Sequence, residues 1–258
     1  QQQQQQQQQD NNQTCCCRCW NFGGHATAIG YNCLGLARGA IVMSNIFLAT
    51  SFVFLASEQA GCVDDEGELF DECNKNVYGF RPAALVSNIA VITGLLSAFF
   101  MPLCGALVDC TNHRRLVGII VSCLITLIQA IQIGTVSGTW YPMLMLQALA
   151  GFLYQVLVLS NYAYLPDMAR VLGEEKMTKY TATWMMSQFG SQITFLLLVI
   201  ILGMAGSLDD VTTAQFSQCL NAVWSIAAFC IGWYYMPNAP AARQLETGSS
   251  GCCSLFTH

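Results

Sequence analysis

The chain has 258 residues, of which 54% are hydrophobic and only 10% charged, with a mean hydropathy of +0.44 and a formal net charge of −5. Soluble domains carry about 25% charged residues, so the composition points to a membrane protein. It argues against nucleic acid as a partner, because no basic stripe interleaved with aromatics is present.

The chain opens on nine consecutive Gln followed by "DNNQT". Such a tract buries no apolar surface, and residues 1–35 are expected to form a disordered Gln- and Cys-rich tail. Without an initiator Met, a fragment of a longer chain is expected. Cys15, Cys16, Cys17 and Cys19 precede the first apolar run, and Cys252 and Cys253 follow the last. No second ligand pair stands nearby, so no metal is expected, and reversible palmitoylation is the reading preferred for these thiols.

A membrane-spanning helix needs about 20 mostly apolar residues to cross a core of about 30 Å. Six runs qualify: 39–57, 83–108, 116–138, 140–165, 180–206 and 214–236. The expected fold is therefore all-α, a polytopic membrane protein of six spans over residues 36–238, followed by a linker or tail at 239–258. Trp140, Tyr141, Trp233, Tyr234 and Tyr235 stand at span ends, where interfacial aromatics belong. Gly94, Ser97, Gly105, Gly151 and Gly190 are expected where helices pack closely.

An even number of spans puts both termini on one side. That side holds Arg18, Arg38, Arg114, Arg115, Arg170, Lys176, Lys179 and Arg243; the other holds only Lys75 and Arg81. By the positive-inside rule both termini are expected in the cytosol. Cys62 and Cys73 fall together in the first external loop. They can bridge in an oxidising lumen or stay as two free thiols, since geometry decides.

The turn "GALVDCTNHRR" between the second and third spans puts a carboxylate and two arginines into one short stretch. Gly105, Asp109 and the pair Arg114–Arg115 resemble the signature loop between spans two and three of the major facilitator superfamily. Cys110, Asn112 and His113 depart from its usual residues. A second stretch, "SNYAYLPDMAR", resembles a motif of the autophagy-related vacuolar effluxer group, through Asn161, Tyr164, Leu165, Pro166 and Asp167. Pro166 cannot continue a helix and is expected to end the fourth span.

The resemblance implies one half of a two-halved carrier, each half made of paired three-span repeats, working by alternating access around a midplane site. It implies as partners a lipid bilayer, a small-molecule substrate, and either a carboxy-terminal half or a second copy of the chain. The signature loop would act as a latch between halves, or only as a snorkelling basic turn. No span centre as drawn holds an ionisable side chain, and the place where many proton-coupled relatives carry Arg is Gln147. Spans one, two, four and five border the cavity in the resembled fold, which favours Asn45, Gln147, Gln155, Gln188 and Gln192 as substrate contacts. Asn and Gln in spans also serve as glue between helices.

Neutral amides suit a small zwitterion, so export of amino acids from a vacuole-like compartment is the leading expectation. The membrane would be vacuolar, another endomembrane or the plasma membrane. A carrier of another substrate and a half-length structural or regulatory membrane protein stay open. No nucleophile–base pair, phosphate-binding loop or ligand cluster points to an enzyme, and no cofactor is expected.

Overall fold

The computed structural model describes residues 26–62, 75–79, 81–110, 114–166 and 174–236. They form six α-helices: α1 (Ala26–Gln59), α2 (Leu85–Cys110), α3 (Arg114–Gln132), α4 (Trp140–Tyr162), α5 (Glu174–Gly206) and α6 (Asp210–Tyr235). A single 3-10 turn at Pro82–Ala84 leads into α2. No strand is present among the described residues. All six helices are long and apolar enough to cross a membrane, and the protein is all-α and multi-pass.

Helix α1 departs furthest from expectation. It starts at Ala26, inside the stretch expected to be a disordered tail, and runs without a break past Arg38. The segment "ATAIGYNCLG" carries no charge, and its glycines let neighbours approach. A Cβ at Gly30 would fall 2.8 Å from the Gly232 carbonyl on α6, and one at Gly35 would fall 2.9 Å from the Trp184 ring on α5. Gly39 sits against the Gln188 carbonyl and Ser191, and Ser191 Oγ donates to the Leu36 carbonyl at 2.7 Å. Close backbone approach of this kind is what small residues contribute inside a bilayer, where lipid is as apolar as Leu.

The glycines expected to pack closely do so less. A Cβ at Gly94 or Gly190 would meet nothing within 4 Å, and one at Gly105 only Leu159, at 4.0 Å. Gly151 does face a neighbour, Thr93, at 3.0 Å. Two of the expected interfacial aromatics, at helix ends as expected, are covered by neighbouring helices. Trp140 and Trp233 are buried because each indole N–H has a partner inside the bundle, Gln59 Oε1 at 2.7 Å and Ser122 Oγ at 2.9 Å. Tyr234 and Tyr235 are exposed.

The packing has a simple order. Helix α1 packs against α5 and α6, α4 packs against α2 and α3, and α3 meets α6. Exchanging α1 with α4, α2 with α5 and α3 with α6 returns the same set of neighbours. The helices alternate in direction, so α1–α3 and α4–α6 are two three-helix units of opposite orientation. Helices α2 and α5 are the least covered, with Phe99, Phe189, Ile193 and Met204 among their exposed apolar side chains.

Candidate functional site

A cleft of about 610 Å³ opens between α1, α2 and α4. Helix α4 lines it with Gln147, Gly151 and Gln155, spaced four apart so that they fall on one stripe. Helix α1 contributes Asn45, and α2 contributes Thr93 and Ser97. Thr93 Oγ1 donates to the Ala148 carbonyl at 3.2 Å, which ties α2 to α4 beside Gly151. Within α2, Pro102 follows the cleft residue Met101 and cannot donate to the Ala98 carbonyl, so the helix ladder is interrupted at the cleft wall.

The polar groups here are oriented but not all satisfied. Gln132, fully buried on α3, donates through Nε2 to Gln147 Oε1 at 2.9 Å and to the Met143 carbonyl at 3.3 Å. That bond fixes the Gln147 amide with its oxygen toward α3 and its NH₂ as the remaining donor. Asn45 Oδ1 and Ser97 Oγ are buried and have no hydrogen-bond partner. Unpaired polar atoms of this kind cost about 1–3 kcal/mol each unless water or another group reaches them. A second groove, of about 450 Å³ between α3 and α6, is lined mostly by apolar residues such as Leu127, Ile226 and Phe229.

Three of the five expected contacts, Asn45, Gln147 and Gln155, therefore share one cleft. Gln188 and Gln192 do not line it. Their helix, α5, is drawn against the opposite flank of α1 by the close approach at Gly35 and Gly39, and both side chains are half-buried there.

Arg38, expected to flank the first span, is instead buried inside α1. It lies twelve residues inside α1 and is only 6% exposed. Its guanidinium carbon sits 4.7 Å from the centre of the Trp184 ring and 5.2 Å from that of Tyr154, and Nη2 donates to the Tyr154 hydroxyl at 3.1 Å. Nε and Nη1 are buried without a partner, and among the described residues no carboxylate pairs with the cation. A buried, unpaired cation is costly, and a desolvated cation–π contact returns about 2 kcal/mol. Two rings and one phenol thus make burial tolerable while leaving the positive charge unneutralised. The sequence signal was the uncharged run on both sides of Arg38, which lets one helix pass through it.

The signature-loop arginines act as clamps. Arg114 donates from Nη1 to the Ala163 carbonyl at 2.6 Å and from Nε to the Val108 carbonyl at 3.4 Å. Arg115 donates from Nη2 to the Trp233 carbonyl at 2.7 Å. The first turn of α3 so engages carbonyls at or just past the C-terminal ends of α2, α4 and α6, which lack helical partners of their own or stand at the negative end of the helix dipole. Gly105 is half-buried on α2. The Asp109 side chain lies outside the described residues, so the expected latch has no described carboxylate.

The second motif packs onto the same hub. Tyr164 is buried with the Arg114 guanidinium carbon 5.5 Å from its ring centre and Trp233 at 6.4 Å. Asn161 is fully buried, and neither side-chain atom has a hydrogen-bond partner. Leu165 packs against the core. Pro166 is exposed, and α4 ends at Tyr162 before reaching it, with the Ala163 and Tyr164 N–H groups turning back to Leu159 and Asn161. Asp167 lies outside the described residues, as do Cys73 and the cysteines expected to be palmitoylated. Cys62 is disulfide-bonded.

No metal-ligating group of three or more His, Cys, Asp or Glu occurs among the described residues. Compared with protein-family models, curated proteins and solved structures, the chain has no match.

Proposed function

We propose that this protein is one half of a carrier that moves a small solute across a membrane by alternating access. One observation carries the reading: Asn45, Gln147 and Gln155 come from two helices of opposite direction to line one cleft of about 610 Å³. Ligand pockets measure about 300–1,000 Å³ and combine apolar walls with a few placed polar groups. Amides offer donors and acceptors together, which suits an amino acid. The inverted pair of three-helix units and the resemblance of Gly105, Arg114 and Arg115 to the major-facilitator loop support the same reading. So do Asn161, Tyr164 and Leu165, through their resemblance to the vacuolar effluxer group.

In this proposal the Arg114 face is cytosolic, because Arg114, Arg115 and Lys179 gather there. The uncovered faces of α2 and α5 would meet a second six-helix unit, in the same polypeptide or in a second copy. The solute would leave a vacuole-like compartment toward the cytosol.

The test is flux. Vesicles carrying the full-length protein and loaded with labelled amino acids should lose label faster than empty vesicles. Gln155→Ala should slow that loss without changing the thermal stability of the protein. Equal leak from both kinds of vesicle, across the whole amino-acid panel and a panel of sugars and vitamins, would sink the carrier reading.

A further inference from the structure

We propose that Arg38 is an anion site, and that the solute held in the cleft carries a carboxylate which Arg38 receives. The inference rests on the carrier reading of the cleft and narrows its substrate class. It starts from the state of the guanidinium. Trp184 and Tyr154 hold it from two sides, at 4.7 and 5.2 Å, and their rings lower the cost of burial without cancelling the charge. Nε and Nη1 are buried and unpartnered. Buried charges are paired or bind a counter-ion, and among the described residues no carboxylate pairs with Arg38.

Position supplies the second argument. Arg38 precedes Asn45 by seven residues, two helical turns, so both lie on one face of α1 about 10.5 Å apart along its axis. Tyr154 is the neighbour of the cleft residue Gln155. Arg38 and Tyr154 do not line the cleft themselves; they meet between α1 and α4, two of its walls, on the side nearer the Arg114 face. A solute bound there would span Arg38 and Asn45 with its carboxylate at one end and a hydrogen-bonding group at the other.

The chemistry is an exchange of acceptors. The Tyr154 oxygen accepts from Nη2. A carboxylate arriving at the same edge takes the Nη1–Nη2 fork, the geometry in which Arg binds carboxylates best. Tyr154 then turns its O–H to the anion and becomes a donor. Nothing is oxidised, and no proton changes owner. Neutral sugars and organic cations gain nothing from this arrangement.

Acetate and acetamide, alike in size and different in charge, test it on the purified full-length protein in nanodiscs of neutral phosphatidylcholine, so that no acidic lipid competes. Thermal unfolding is followed at constant ionic strength. Acetate should raise Tm above the value in chloride, acetamide should not, and Arg38→Gln should increase the apparent Kd for acetate roughly 10- to 100-fold. Arg38→Lys, which keeps the charge and loses the fork, should fall between. Equal responses of the wild type to acetate and acetamide overturn the proposal without any variant. An acetate effect unchanged in Arg38→Gln overturns it too. Labelled amino-acid flux separates the two readings. Flux that survives Arg38→Gln leaves the carrier standing and removes the anion site. An Arg38-dependent acetate effect without flux keeps the anion site and removes the carrier.

Discussion

Trp233 occupies the space that any side chain at Gly118 would need, and its Nε1 donates to Ser122 Oγ at 2.9 Å one turn further along α3. The indole of α6 is thus seated on a bare stretch of α3 and pinned by a hydroxyl. The same Trp233 offers its carbonyl to Arg115. One residue joins α3 and α6 by packing, by side-chain hydrogen bonding and by main-chain hydrogen bonding.

Gly118→Ala should therefore destabilise the bundle. Overpacking a filled interior costs about 1–3 kcal/mol, and a rigid indole has little room to yield. Gly94→Ala is the matched control, because its Cβ would meet nothing within 4 Å. Thermal unfolding in detergent should show a lowered Tm for the first and none for the second. Equal Tm values for the two variants would refute the account of the α3–α6 seam.

Gln132 positions rather than binds. Its Nε2 holds Gln147 Oε1 at 2.9 Å, while Gln132 itself does not line the cleft. Gln132→Leu should free the Gln147 amide to rotate. Hydrogen bonds between spans measure about 0.6 kcal/mol on average and up to about 1.7, which corresponds to roughly a 3- to 20-fold rise in KM. The kcat should change less. A KM unaltered by this substitution, with normal folding, would separate Gln147 from solute binding.

Asp209 caps α6, and its pH behaviour follows from that geometry. Thr212 donates its hydroxyl to Oδ1 at 2.5 Å and its N–H to Oδ2 at 3.3 Å, holding the carboxyl below the usual carboxylate range. A lowered folded-state pKa stabilises above the unfolded value, near 3.9, and the gain fades as pH falls through the folded value. Asp209→Ala should cost about 0.5 kcal/mol at neutral pH, the low end for an exposed cap. The gap in Tm between wild type and variant should close in acid below about pH 4. A gap that stays constant from pH 7 to pH 3 would mean that the charge is not what caps the helix.

Much of the architecture could be read from the sequence because a bilayer leaves few choices. An uncharged run of twenty residues must hide its own backbone polar groups, and the helix does so. What the sequence hides is where residues distant along the chain meet. Arg38 reads as a flanking cation until Tyr154 and Trp184 arrive from α4 and α5 to sandwich it, so the first span was begun too late. Trp140 and Trp233 stand at helix ends, yet nothing in the local pattern reveals that Gln59 and Ser122 accept their N–H groups. Asn45, Gln147 and Gln155 reached one cleft because their helices pack directly around it. Gln188 and Gln192 stand apart from that cleft because bare glycines on α1 bring α5 against the opposite flank, and no helical period encodes which flank a neighbour chooses.

The exchange that maps α1–α3 onto α4–α6 also turns the molecule upside down. Suppose each unit took up the other's present shape. Every helix would keep the neighbours it has now, while the cleft would face the opposite bulk phase. Two such forms are mirror partners in energy, separated only by whatever differs between the side chains of the two units. Residues without a counterpart in the other unit then act as the weights on a balance. Arg38 is one of them, since its position in α1 has no charged equivalent in α4, and an anion held there as proposed would tip the balance.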